Sequence, residues 1–567
     1  MIEDIYEPLT RFRDEFKEKF ARIAEETFDR LKNQSGVDIQ ANAETVDQIR
    51  KHQSELDRLN TKISFLYFAV IVLWGTCVVC GYFCFTAFYE HSSADYVRTG
   101  SIYGAVSLTA AALAIFLVHP KISELNKRKL ELEKLISSLT DLAWKQMAPL
   151  NRLFSWEILI EMINKCVPRL EFDPFFNESR LQDLCESFGW DHSFNSDISI
   201  LFAHSGVVND NPFVICRYLY SDWGEQVYTG SRTISYYVTV RDSEGKLRRE
   251  RRYETLTATI TRPIPVYDES SLVIYANEAA PKLNFSRTPS KYSGESGFFS
   301  NVGKKMALKK LEKFARNLED ESNFTMMSNR EFEVLFHAKD RSDEIEFRLL
   351  FTALAQQQMV KLLNDKEIGF GDNFSFTKSK MINFVAPEHL HNFDLNTDPE
   401  QFKNFDFEKI KAFFLARSQD YFRSIYFALA PILTIPLYQQ TRTRESIYGG
   451  KMAHHASFWE TESFVNYLGE NKFKHPQSIT RNILKTSTSS ISKGTISVTA
   501  DGYRGVDRVE IVPVLGGDGR LHSVPVEWIE YLPVSKTSNI VIEVTDQDTA
   551  SKSPQDIRRR LKFVSDI

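Results

Sequence analysis

The stretch ISFLYFAVIVLWGTCVVCGYFCFTAFY (63–89) contains no Asp, Glu, Lys or Arg. As a helix it would reach roughly 40 Å, more than the hydrocarbon thickness of a bilayer. A second charge-free run, TGSIYGAVSLTAAALAIFLV (99–118), would reach roughly 30 Å. Only residues 90–98 separate the two. The pair therefore reads as an antiparallel transmembrane hairpin, the feature from which the fold is worked outward.

Charge orients this hairpin. Arg50, Lys51, Arg58 and Lys62 precede it, and Lys121, Lys127, Arg128, Lys129 and Lys134 follow it, whereas the connection holds only Arg98. Basic residues near membrane ends are retained on the cytoplasmic side. Both termini are expected in the cytoplasm, in a multi-pass protein of the cell membrane. Residues 1–60 are charge-dense and do not read as a signal peptide.

The flanks are helical. Phe12, Phe16, Phe20, Ile23 and Leu31 share one helix face, with Pro8 suited to the first turn and Gly36 beyond the end. Val46, Ile49, Leu56, Leu59 and Ile63 lead into the first span, and Ile122, Leu125, Leu132, Ile136 and Leu139 continue from the second. Two facing stripes suggest a coiled-coil-like stalk, and ordinary packing on a downstream domain explains them equally well. Within the spans, Cys77, Cys80, Cys84 and Gly81, together with Gly100 and Gly104, read as small residues of a helix interface. Six cysteines, three of them in the first run, make no disulfide framework.

The rest reads as a large α+β body. A net charge of −5 over 567 residues creates no field that would draw the chain to nucleic acid. Strands are expected at 213–220, 233–241, 253–262, 272–276, 332–339 and within 374–384, with 242–245 as a hairpin turn. Helices are expected at 156–167, 301–317, 349–363 and 407–428. The apolar segment 425–438 is short for a bilayer span and holds Pro431 and Pro436, so it reads as core or as a re-entrant element. Alternating stretches at 494–500, 508–514 and 523–531 suggest a small C-terminal β domain followed by a polar tail. The expected domains are N-terminal helices (1–62), the hairpin (63–118), a membrane-proximal helix (119–153), the α+β domain (154–440) and a β-rich domain (441–567).

The motifs FFNESRL (175–181), FEVLFH (332–337) with the following 346–363, and FSFT (374–377) through MINF (381–384) resemble a family of bacterial membrane proteins known as domain of unknown function 3137. The resemblance covers about 172–386. It implies a transmembrane pair followed by a cytoplasmic α+β domain, and it implies no activity, substrate or site residue. The N-terminal extension and everything beyond about 401 depart from that layout.

No catalytic, cofactor or metal motif emerges. The stretch SGFFSNVGKK (296–305) differs from a phosphate-binding loop, having five residues between its glycines and Lys305 where a hydroxyl is required. His454, His455, Glu460, Glu462 and His475 lack metal-site spacing. Two basic features remain. Lys304, Lys305, Lys309, Lys310 and Lys313 fit a helix lying on an anionic membrane surface, or a solvated helix face. Arg248, Arg249, Arg251 and Arg252 form a basic run on the hairpin, suited to an anionic partner or to a solvated tip. The reading that needs least beyond these features is a membrane-anchored scaffold with a protein partner or a second copy of itself. An enzyme acting on an inner-leaflet lipid or cytoplasmic substrate, and a subunit of a transport complex, are the alternatives.

Overall fold

The structure, a computed structural model, describes residues 6–90, 94–191, 197–241, 246–290, 326–338, 340–440, 456–488 and 495–541. The fold is mixed α+β. It divides into two units: Met1–Ala24, Trp156–Thr397 and Ser418–Ile567 form the first, and Glu25–Ser155 with Asp398–Arg417 the second.

The second unit is helical. The helix Ile39–Glu90 runs for 52 residues, about 80 Å. Ala94–Ala112 returns along it, passes through one π-helical turn at Leu113–Val118 and continues as His119–Asn151. Within Ile39–Ala87 and Arg98–Asn151 are helices long and apolar enough to cross a membrane, almost wholly exposed along their most apolar stretch. They touch through small residues. Ser107 Oγ donates to the Cys77 carbonyl at 2.9 Å, and a methyl group on Gly104 would lie 3.2 Å from Cys84 Sγ. Beyond the apolar stretch, Leu56, Leu59, Ile63 and Leu132 bury one another, flanked by Leu125 and Ile136. Arg128 pairs with Glu55 at 2.7 Å on the surface of this seam. Nearer its start the long helix is held by polar contacts. Asn42 donates to the Phe405 carbonyl, and Arg50 reaches the nearly buried Asp406 at 2.8 Å.

In the first unit the chain begins with Pro8–Arg11 and a π-helical turn at Phe12–Phe16, leading into the helix Lys17–Ser35. Phe12, Phe16 and Phe20 are buried, and Phe20 stacks on Phe422 at 4.2 Å. The segment 425–438 is core: it completes the helix Phe407–Leu433 and a short turn at Pro436–Gln439, with Ile425 and Tyr438 buried.

A seven-stranded antiparallel sheet organises this unit in the order β1-β2-β3-β4-β7-β6-β5. Its strands are β1 (Leu170–Phe172), β2 (Ile198–Val208), β3 (Asn211–Arg241), β4 (Leu247–Ala276), β5 (Asn284–Arg287), β6 (Phe374–Ser379) and β7 (Ile382–Pro387). Asn209 and Asp210, both at positive φ, make the tight turn between β2 and β3. Phe176, Leu184, Trp190, Val214, Ile274 and Trp459 pack on one face.

Three expectations change. Residues 332–339 are not a strand: Asn329 caps a helix at Arg330–Phe336, which His337 ends in the left-handed conformation. The stretch FEVLF (332–336) is too short to show a period, and the cap decides. The segments 213–220 and 233–241 are one strand of 31 residues, and 253–262 and 272–276 belong to one of 30. The described residues 456–488 and 495–541 belong to the same unit as the seven-stranded sheet. Trp459, on the helix Phe458–Leu468, sits in the core of the seven-stranded sheet. A second sheet, β10-β9-β8, follows from β8 (Ile483–Thr488), β9 (Thr495–Leu515) and β10 (Leu521–Val541).

Candidate functional site

The basic run lies at the end of a β arm. β3 and β4 stay paired from Phe213↔Tyr275 to Arg241↔Leu247, although the sheet's other strands reach only the root of this ribbon. The stretch from Tyr220↔Asp268 to Arg241↔Leu247 extends roughly 70 Å at about 3.3 Å per residue. An isolated two-stranded ribbon is marginal in water. This one is covered on one face by the hairpin of β9 and β10.

The joint between the hairpins is apolar at its centre. Ile234, Leu256 and Ala258 are buried against Val524 and Val526, with Tyr228, Tyr236 and Val512 around them. Polar contacts flank this strip. Arg232 donates to the Ser523 carbonyl at 2.8 Å, the Gly517 amide donates to Glu254 at 2.7 Å, and Arg262 pairs with Glu510. The guanidinium of Arg262 also lies 5.1 Å from the Trp528 ring centroid.

Because strand side chains alternate, the register sorts the basic run onto two faces. Tyr237↔Arg251, Thr239↔Arg249 and Arg241↔Leu247 place Arg241, Arg249 and Arg251 on the outer face. Tyr236↔Arg252, Val238↔Glu250 and Val240↔Arg248 place Arg248 and Arg252 on the other, with Glu250 between them. The outer face also carries Tyr237 and Tyr253, 59% and 69% exposed. Arg249 lies 5.0 Å from the Tyr237 ring centroid and Arg251 5.2 Å from that of Tyr253, while Arg251 also donates to Ser235 Oγ. Each ring braces a guanidinium without using up its donors. Among the described residues, no carboxylate is within ion-pairing distance of Arg241, Arg248, Arg249, Arg251 or Arg252. Three guanidiniums on one face with two exposed aromatic rings suit carboxylate or phosphate groups on an extended partner.

Reading the sequence found four of these arginines and missed Arg241, Tyr237 and Tyr253. The usable signal was the two-residue alternation on both sides of the turn, which interleaves rings with cations on one face. Lys304, Lys305, Lys309, Lys310, Lys313, His454 and His455 lie outside the described residues. Glu460 and Glu462 are both buried on the helix Phe458–Leu468. Glu460 accepts from the Phe176 amide, and Glu462 accepts from the Ile200 amide and pairs with Lys485. Burial pushes the Glu462 carboxyl up to about 7. His475 belongs to the turn before β8, where its Nδ1 accepts from the Gln477 amide.

No family model, curated protein or solved structure matches the chain.

Proposed function

We propose that this chain is a membrane-anchored interaction protein whose β arm captures an acidic protein segment. The observation that carries the reading is the outer face of the arm's end, where Arg241, Arg249 and Arg251 share one face with Tyr237 and Tyr253, and Arg249 and Arg251 lie over those rings. The two long apolar helices act as the anchor, a two-span hairpin with both termini cytoplasmic. Leu56, Leu59, Ile63 and Leu132 form the start of a coiled-coil stalk beneath it.

The test uses the full-length protein in its native membrane, with a photo-crosslinking residue at Tyr237 and mass spectrometry of attached proteins and lipids. A protein adduct on an acidic segment is expected, and it should be lost in the Arg249→Glu, Arg251→Glu variant. Adducts with anionic lipid alone would replace the protein partner with the membrane surface. An adduct insensitive to charge reversal would end the proposal.

A further inference from the structure

A cavity of about 240 Å³ opens within the first unit, away from the arm's end. It exists because the helix Phe458–Leu468 is clamped to an irregular part of β2. The β2–β3 register shifts between Ile200 and Phe202, a bulge that leaves Leu201 without a partner on β3. Ser463 Oγ donates to the Leu201 carbonyl, and Asn466 donates to the Ile200 carbonyl and to Ser199 Oγ. Leu201 and Phe202 form part of the cavity wall as a result.

Another part of the lining is set by Arg217. Its Nη2 donates to the carbonyls of Leu390, His391 and Phe393, which fixes the loop that brings Asp394 and Asn396 to the cavity. Asp394 accepts from the Asn396 amide, which holds that carboxylate in a tight turn. The lining also carries Glu269 and Glu460, so three carboxylates and the Arg217 guanidinium border the space, with Arg481 just outside it matching the charge of Glu269. Glu269 pairs with Arg481 at 2.9 Å, and Glu460 is only 3% exposed. The remaining surface is aromatic. Trp156 stands edge-on to Tyr467 at 5.4 Å, with Phe202 and Phe464 further along the wall.

We propose that this cavity binds a small organic cation, an amine or ammonium group carried on a short apolar body. With Glu269 matched by Arg481, Asp394 and Glu460 still outnumber Arg217, which disfavours an anion, and aromatic rings attract a cation while sheltering its hydrocarbon. Among the described residues no three His, Cys, Asp or Glu side chains converge as metal ligands. The negative charge is spread around the space, as suits a diffuse organic cation more than a metal ion. Phenethylamine, small and positively charged at neutral pH, has the required shape.

Isothermal titration calorimetry on the detergent-solubilised full-length protein tests this with phenethylamine, its neutral isostere 2-phenylethanol, and phenylacetate. Phenethylamine is expected to bind saturably, about tenfold more tightly than 2-phenylethanol, with no binding of phenylacetate. Asp394→Asn and Tyr467→Ala, both on exposed positions, should each weaken the amine several-fold and leave thermal unfolding unchanged. Equal affinity for the amine and the alcohol would make the cavity an apolar hole and overturn the proposal. Preference for phenylacetate, or no binding of phenethylamine, would overturn it equally.

Discussion

Gly230 of β3 lies directly against the backbone of Pro525 in β10. A methyl group on this glycine would overlap the Pro525 carbonyl and come within 2.9 Å of the Val526 Cα. The two hairpins meet there backbone to backbone, beside the buried Ile234, Leu256, Val524 and Val526. Packing of this kind has no flexible side chain that could yield to a larger residue. Gly230→Val should therefore force the hairpins apart, costing about 1–3 kcal/mol. Amide exchange should accelerate at residues 230–240 and 520–528 while the root of the sheet, Phe213–Cys216, stays protected. Unchanged exchange in the arm would show that the hairpins do not depend on each other.

The apolar helix pair makes a parallel case. Gly104 faces Cys84 Sγ at a distance that tolerates one methyl group only if the sulfur shifts slightly. Gly104→Ala should be nearly neutral. Gly104→Leu should separate the helices at a cost of about 1–2 kcal/mol, because close approach through small residues holds such pairs together. Thermal unfolding in detergent reads this directly. Equal midpoints for the Ala and Leu variants would mean that the pair does not pack through this glycine.

What the sequence disclosed follows physical range. The charge-free runs are long enough to be read alone, and the pattern Ile234, Tyr236, Val238, Val240 announced a strand. Residues 221–232, SDWGEQVYTGSR, show no such alternation. They are strand because the facing hairpin covers one side, a contact made with residues some 290 positions further along the chain. The cavity was illegible for the same reason: its lining comes from Trp156, the β2 bulge, the loop at 394–396 and the helix at 458–468. Basic residues of the arm could be picked out, whereas their division between two faces required the register.

His389 gives an acid-sensitive prediction. Its ring stacks on Phe370 at 3.8 Å and contacts the Ser424 carbonyl through Nε2 and the Asn373 amide through Nδ1. A carbonyl only accepts, so Nε2 carries the proton, and Nδ1 accepts from the Asn373 NH₂ group. Protonating Nδ1 would set two donors against each other in a buried place near Arg423. Burial, with a smaller contribution from Arg423, holds the imidazole down at about 4. The folded-state value lies below the ordinary 6.5 of a histidine, so this stability is present above about 6.5 and lost as pH falls towards 4. Urea unfolding at pH 7 and pH 4.5 should show His389→Gln losing less stability than the parent, by roughly 2 kcal/mol. Identical acid dependence would assign the loss to other groups.

Lys378 titrates in the opposite part of the pH range. Its ammonium is buried on β6, donates to the Ala279 carbonyl at 3.1 Å and lies 5.5 Å from the ring of Tyr438. That ring belongs to a buried polar cluster in which Tyr438 donates to Asn383, and Tyr275 donates to the Tyr438 carbonyl. Desolvation pulls the lysine down to about 7 from its ordinary 10.5, offset only in part by Glu346. Between these values the unfolded chain binds the proton more tightly than the folded one, so stability rises with pH from about 7 to about 10. The slope from this group reaches at most about 1.4 kcal/mol per pH unit. Lys378→Met keeps the length of the side chain and removes the charge. It should flatten the dependence between pH 7 and 9 and raise the urea midpoint at pH 7, where the parent still carries the cost of a desolvated ammonium. A variant that follows the parent's slope, or that is less stable at pH 7, would mean that the Ala279 contact and the Tyr438 ring fully compensate the buried charge.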